Sequence, residues 1–195
     1  MASEHHRESQ ASNGRKGHVR SDARCNTVSG RDAAIAALLT VLSIALLVAT
    51  APAIGLTWDE PAYMAAAESY MGWFRLFFSR PATALGAEAI EAYWKVNHEH
   101  PPLDKVWSGL IWLATRSLLG DLSAHRLGNM ILSGGTIALL YLLVAGEAGP
   151  GAGLIAAGAL LSMPRFSHHA HLSALDVPGA VGVLITLAAF WWTRD

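Results

Sequence analysis

The chain is poor in what most function classes need. One cysteine, Cys25, in 195 residues excludes a disulfide framework. Charge is scarce: Asp, Glu, Lys and Arg make up 15% of the residues against 52% hydrophobic, with a formal net charge of -1. A nucleic-acid binder needs a basic face. The one basic cluster here, Arg7, Arg15, Lys16, Arg20, Arg24 and Arg31, is confined to residues 1–32 and is better explained by membrane topology. No internal repeat is visible. Charge is missing altogether from several long runs, and these define the chain.

Residues 33–56 are 24 positions without a charge. At ~1.5 Å per helical residue that length exceeds a ~30 Å hydrocarbon core. Apolar residues run all round this helix with no polar stripe, as a spanning helix requires. It follows a polar tail and is longer than the ~7 to 15 residue core of a signal peptide, so it reads as a span rather than a cleaved leader. Pro52 near its end predicts a kink.

Further spans are predicted over 127–146, 148–164 and 177–193, which are 20, 17 and 17 uncharged residues. Between the first two, Gly146-Glu147-Ala148-Gly149-Pro150-Gly151 permits only a tight turn, which predicts a helical hairpin. Gly151, Gly153, Ala156, Ala157, Gly158 and Ala159, with Ser133-Gly134-Gly135 on the facing arm, let backbones approach where lipid gives no hydrophobic drive.

Residues 106–120 carry Arg116 and follow Asp104 and Lys105, while Trp107 and Trp112 suit interfacial depth. They predict a juxtamembrane helix. So do residues 61–80, whose apolar positions recur at helical spacing from Met64 to Phe78. The expected fold is an all-α polytopic membrane helical bundle of about four transmembrane helices with juxtamembrane helices, after a disordered cytoplasmic tail at 1–32.

Residues 57–104 hold seven acids, Asp59, Glu60, Glu68, Glu88, Glu91, Glu99 and Asp104, against three basic residues. The positive-inside rule then places the tail in the cytoplasm and two loops, 57–126 and 165–176, outside a plasma or inner membrane.

Three charged clusters would share that outer face: Asp59 with Glu60; His98, His100 and Lys105; and Arg165, His168, His169, His171 and Asp176. Acidic pairs at a membrane surface are costly unless they bind or react. Carboxylates opposite cations beside lipid suit a polyprenyl-phosphate substrate. Cations hold the phosphate, directly or through a divalent metal, while a carboxylate accepts a proton from an attacking hydroxyl. His168 and His171 share a helical face and are the candidate metal ligands. Arg126, heading the second span, is open between a snorkelling anchor and a site residue. A metal or solute transporter, or a membrane scaffold, is the alternative class, supported by the histidine-rich loop.

Four runs occur in order: Trp58-Asp59-Glu60, His100-Pro101-Pro102-Leu103-Asp104-Lys105, Arg126-Leu127 and Leu175-Asp176-Val177-Pro178. Together they resemble the amino-terminal part of glycosyltransferase family 39, the protein O-mannosyltransferases and aminoarabinose transferases. The resemblance covers roughly residues 33–193. It implies a GT-C fold, with Asp59 as catalytic base and Glu60 beside it. His100 and Lys105 would lie near the lipid phosphate, and Asp176 would close the second external loop; Arg165 and Asp176, from the charged loop cluster, are further candidates for binding at the phosphate. The implied partners are a polyprenyl-phosphate-linked sugar, a hydroxyl acceptor and the bilayer. Asp104 stands where the family often has glycine, and Ser167-His168-His169-Ala170-His171 departs from its pattern. Family members have more spans, so the chain reads as the first part of such an enzyme.

Overall fold

The computed structural model describes residues 28–193, all of whose regular elements are helical. Most of the expected disordered tail, residues 1–27, lies outside the described residues. Helix α1 spans Gly30–Thr50 and starts before the uncharged run because the Ser29 hydroxyl accepts the Asp32 N–H, satisfying one orphan donor of the first turn. Pro52 does not kink it. The helix ends at Thr50, and Pro52 sits inside a 3-10 turn, Ala51–Ala53.

Outside this helix lie α2 (Glu60–Ser79), α3 (Pro81–Ala84), α4 (Ala87–Trp94) and α5 (Pro102–Leu119). After them come α6 (Asp121–Ala148), α7 (Pro150–Ser162), α8 (Pro164–Ala170) and α9 (Asp176–Thr193). The 28-residue α6 is the axis on which α1, α5, α7 and α9 all pack.

Helices α1 and α6 run antiparallel. The Tyr141 hydroxyl donates to Asp32 at one end (2.8 Å), Leu47 meets Met130 further along, and Arg126 donates to the Ile54 and Gly55 carbonyls at the other. Gly134 sets their separation: a Cβ there would lie 3.0 Å from the Thr40 carbonyl oxygen. The chain reverses at Gly149 (φ 88°), a left-handed conformation that glycine adopts without penalty. Helix α7 then packs back on α6, where a Cβ on Gly153 would meet the Tyr141 carbonyl oxygen at 2.8 Å. The predicted hairpin is present, and Gly134 and Gly153 are its close-approach points, whereas Gly135, Gly151 and Gly158 face open space.

Among the described residues three helices are long and apolar enough to cross a membrane: Gly30–Ala53, Asp121–Ala148 and Asp176–Thr193. The run expected as a further span is cut short. Met163 is extended, as residues before proline tend to be, and Pro164 opens a new helix, so α7 has 13 residues. At ~1.5 Å per residue that is about 20 Å. Helix α8 continues the same leg until Ala170 packs against Leu47, Met130 and Val177. Helix α9 then runs parallel to α6, with Val177 beside Met130 and Trp191 donating to Glu147 at 2.6 Å.

Helix α5 reverses at Gly120 (φ 74°) and pairs with the first turns of α6, through Trp107 to the Gly128 carbonyl (2.9 Å) and Trp112 to Asp121 (2.8 Å). Those turns run from Asp121 to Gly128, most of them beyond the level of Arg126, where α1 gives out, so α5 flanks a projecting part of α6. Helix α2 lies across α5, with Met71 and the Ala67 carbonyl against Gly109. Its aromatic run is divided: Trp73, Phe74 and Phe77 pack together with Trp73 and Phe74 meeting Trp94 of α4, while Phe78 is 82% exposed.

Because Gly153 faces a backbone oxygen that cannot rotate away, Gly153→Ala is expected to cost ~1 to 3 kcal/mol of overpacking. Gly158→Ala on the same helix meets nothing and should be neutral or slightly stabilising. Thermal unfolding of the detergent-solubilised chain checks this; equal midpoints for the two variants would contradict the packing described.

Candidate functional site

Glu60, at the start of α2, is fully buried. Arg126 of α6 clamps it bidentately, Nε to Oε1 and Nη2 to Oε2 both at 2.7 Å. The Thr57 N–H and hydroxyl donate to Oε2 (3.0 and 3.2 Å), and the Ser173 N–H donates to Oε1 (3.0 Å). Arg126 spends its remaining donors on the Ile54 and Gly55 carbonyls at 2.9 and 2.7 Å. One ion pair therefore joins the exit of α1, the head of α2, the head of α6 and the 171–175 loop. Arg126 is 2% exposed, so it does not snorkel. With five donors on its two oxygens and no solvent contact, Glu60 has no free lone pair for a substrate proton. The geometry makes it the anchor of the acid pair.

Burial alone would raise the Glu60 carboxyl, but the Arg126, Thr57 and Ser173 hydrogen bonds and the Arg126 charge outweigh it and hold the group below its ordinary value. Asp59, immediately before it, is exposed and its side chain makes no capping bond, so it is free to accept a proton. Beside it Trp58 is 96% exposed.

Tyr63, one turn into α2, is the hub of the neighbouring surface. It packs on Leu172 and Ala174 of the second loop, and its ring stacks on His100 at 5.6 Å between centroids. Its phenol is held protonated above the ordinary range, by burial first and then by the charges of Asp104, Asp59, Asp176 and Glu99. The first and second predicted loops thus bring Asp59, His100 and Asp176 to one end of the bundle. His100 and Asp176 are exposed there; Arg165 on α8 is exposed as well, but next to Phe166, which packs with Ala36, Ile137 and Tyr141 further down the bundle, so it is not brought to that end.

Lys105 is placed differently from the expectation. It is 1% exposed, beneath the rings of Tyr63 and Tyr70 (5.8 Å to each centroid), so it does not present its charge to a ligand. Asp104 beside it is also buried, which raises its carboxyl.

The proposed histidine metal site is not formed. Both ring nitrogens of His171 are engaged, Nε2 with the Thr50 hydroxyl (2.7 Å) and Nδ1 with the Ser167 carbonyl (2.6 Å). His168 is exposed and meets His169 edge to face. His169 Nδ1 lies 3.2 Å from Asp176. Among the described residues no group of three His, Cys, Asp or Glu side chains could hold a metal ion.

Two polar ties escaped sequence reasoning. Asn129, a turn after Arg126, donates to the Leu172 and Ala174 carbonyls (2.6 and 2.7 Å) and fixes the second loop. Buried His125 bonds Ser108 (3.1 Å) and Glu68 (3.4 Å) and stacks on Trp112. The signal was there: His125, Arg126 and Asn129 interrupt the head of an apolar helix, where polar groups demand partners.

No protein-family model, curated protein or solved structure matches this chain.

Arg126→Met strands the Glu60 charge in the interior and is expected to cost ~3 to 5 kcal/mol, whereas Arg126→Met with Glu60→Gln should recover part of it. Because the folded Glu60 value is depressed, its contribution is complete above the unfolded value of 4.5 and is lost as pH falls through it toward the folded value. Unfolding midpoints between pH 7 and 3 should therefore fall less steeply for Glu60→Gln than for wild type; parallel curves would deny the ion pair its role.

Proposed function

We propose that this chain carries the donor-binding and base-bearing face of a membrane glycosyltransferase, one that moves a sugar from a polyprenyl-phosphate donor to a hydroxyl acceptor outside the cytoplasm. The observation that carries this reading is the division of labour in the acid pair. Glu60 is locked by Arg126, Thr57 and the Ser173 backbone, while Asp59 projects unbonded into solvent at the same end as His100 and Asp176. That is the arrangement a single general base requires.

In the proposed reaction Asp59 accepts the proton of the acceptor hydroxyl as its oxygen attacks the anomeric carbon. The new carbon–oxygen bond forms as the bond to phosphate breaks. Polyprenyl phosphate leaves with the electron pair, and displacement at one face inverts the carbon. His100, exposed on that end, faces the phosphate. The histidine-rich loop lends little to a metal transporter, since His171 is spent on internal bonds.

The matching topology has four crossings, by α1, α6, the broken leg α7–α8, and α9, with α5 on the outer surface. Arg116 at a bilayer centre would cost ~2.5 to 3.5 kcal/mol, which keeps α5 out. Single cysteines placed at 59 and 176 in a Cys25→Ser background should both react with an impermeant maleimide in intact cells. Reaction at only one of them would remove the shared face.

Asp59→Asn keeps the side-chain size but cannot take a proton, so turnover should fall by ~10²-fold or more, with membrane insertion and donor binding retained. The assay is sugar transfer from a polyprenyl-phosphate donor by the protein expressed from its full reading frame in membranes. Full activity in a folded Asp59→Asn protein would sink the mechanism; loss of insertion with activity would make Asp59 structural.

A further inference from the structure

The turn 97–100 between α4 and α5 is held in an unusual way. Asn97 is the only non-glycine among the described residues with positive φ (51°), the left-handed region that asparagine tolerates but does not prefer. The carbonyl of this residue accepts a hydrogen bond from Lys105 Nζ, and the His100 carbonyl accepts another at 2.9 Å. The ammonium reaches both from one turn inside α5, roofed by the Tyr63 and Tyr70 rings. Tyr70 in turn donates to the Val96 carbonyl at 3.2 Å. The backbone on either side of Glu99 is thus pinned from beneath, and what it displays on top is the His100 imidazole, stacked on Tyr63.

We propose that Lys105 is a positioning residue: it does not touch the donor phosphate but clamps the turn 97–100 from inside, fixing the His100 ring against Tyr63 beside Asp59. The role assigned to His100 rests on the function proposed above; the clamp itself does not. A lysine can serve here because its compact ammonium has three donors, enough for two carbonyls in a tight turn. Burial lowers the proton affinity of this amine, and the adjacent Asp104 charge opposes that in part, while the two carbonyls and two aromatic faces give the ammonium its partners. A lysine that bound phosphate would have to reach solvent, and this one is sealed from it.

The test has two arms that fail separately. In the first, the native chain in lipid nanodiscs is treated with acetic anhydride, and modification is followed by mass spectrometry. Exposed Lys95 should be acetylated while Lys105 is protected; equal rates would overturn the clamp, whatever the protein's activity. In the second, equilibrium binding of a fluorescent polyprenyl-phosphate sugar is measured for Lys105→Met, His100→Ala and the double variant. If Lys105 acts through His100, each single change weakens binding by roughly tenfold and the double is no worse. A double variant weakened by the product of the two would place Lys105 directly on the donor and overturn the proposal. The His100 ring resonance, displaced by Tyr63, should also move to the free-histidine position in Lys105→Met. An unmoved resonance would show that the turn holds without the clamp. Failure of the wild-type protein to bind any such donor counts against the proposed function, and the acetylation arm still decides the clamp.

Discussion

Everything on the Asp59 end of this protein hangs on the ion pair between Glu60 and Arg126. Removing a carboxylate and a guanidinium from water costs several kcal/mol each, and only bidentate geometry with every remaining donor satisfied recovers it. Here the pair is bidentate and is held by atoms from three places in the chain: the 54–60 stretch with Thr57 and the Ile54 and Gly55 carbonyls, Arg126 itself, and Ser173. Because Arg126 and Ser173 are each dozens of residues from the 54–60 stretch and from one another, the pair acts as a registration mark. It can be satisfied in one arrangement of α1, α2, α6 and the 171–175 loop, and a slip of any element would leave a charge or a carbonyl bare.

Specificity of this sort matters more in a lipid-embedded bundle than in a soluble core. Among the described helices α1, α6 and α9 are long and apolar enough to cross a membrane, and in surroundings as apolar as themselves burial alone does not say which face meets which. Two devices settle it. Gly134 and Gly153 set the approach of α1 and α7 to α6 by removing the Cβ where a carbonyl oxygen stands. Polar ties at the helix ends set the register, Tyr141 to Asp32 at one end and Arg126 and Asn129 at the other.

Much of this was legible in the sequence, and the reasons for what was not are physical. The apolar runs and the Gly149-Pro150 turn located α1, α6, α7 and α9, because length without charge is a strong signal. The break at Met163 was written in Pro164 but outweighed by the hydropathy on both sides. The Asp59, His100 and Asp176 segments were expected on one face, and topology put them there. What the residues could not announce was which member of the acid pair is buried. Adjacent carboxylates look alike in sequence, and their roles are decided by an arginine sixty-six positions away. Lys105 was misplaced for the same reason: a charged residue in a loop motif reads as exposed until two tyrosines a helix away are found above it.

Locking one acid to free its neighbour also explains how a surface carboxylate can be aimed at all. The Asp59 side chain has no hydrogen bond to fix it, and an unrestrained exposed side chain would sample many directions. Its backbone, however, is the residue before Glu60, and Glu60 cannot move without breaking five hydrogen bonds. The same logic recurs at the turn 97–100, where Lys105 is spent on backbone carbonyls so that His100 is displayed. On both sides of the candidate site a buried charged side chain holds an exposed neighbour in place. The site is rigid where it is anchored and open where a substrate would enter.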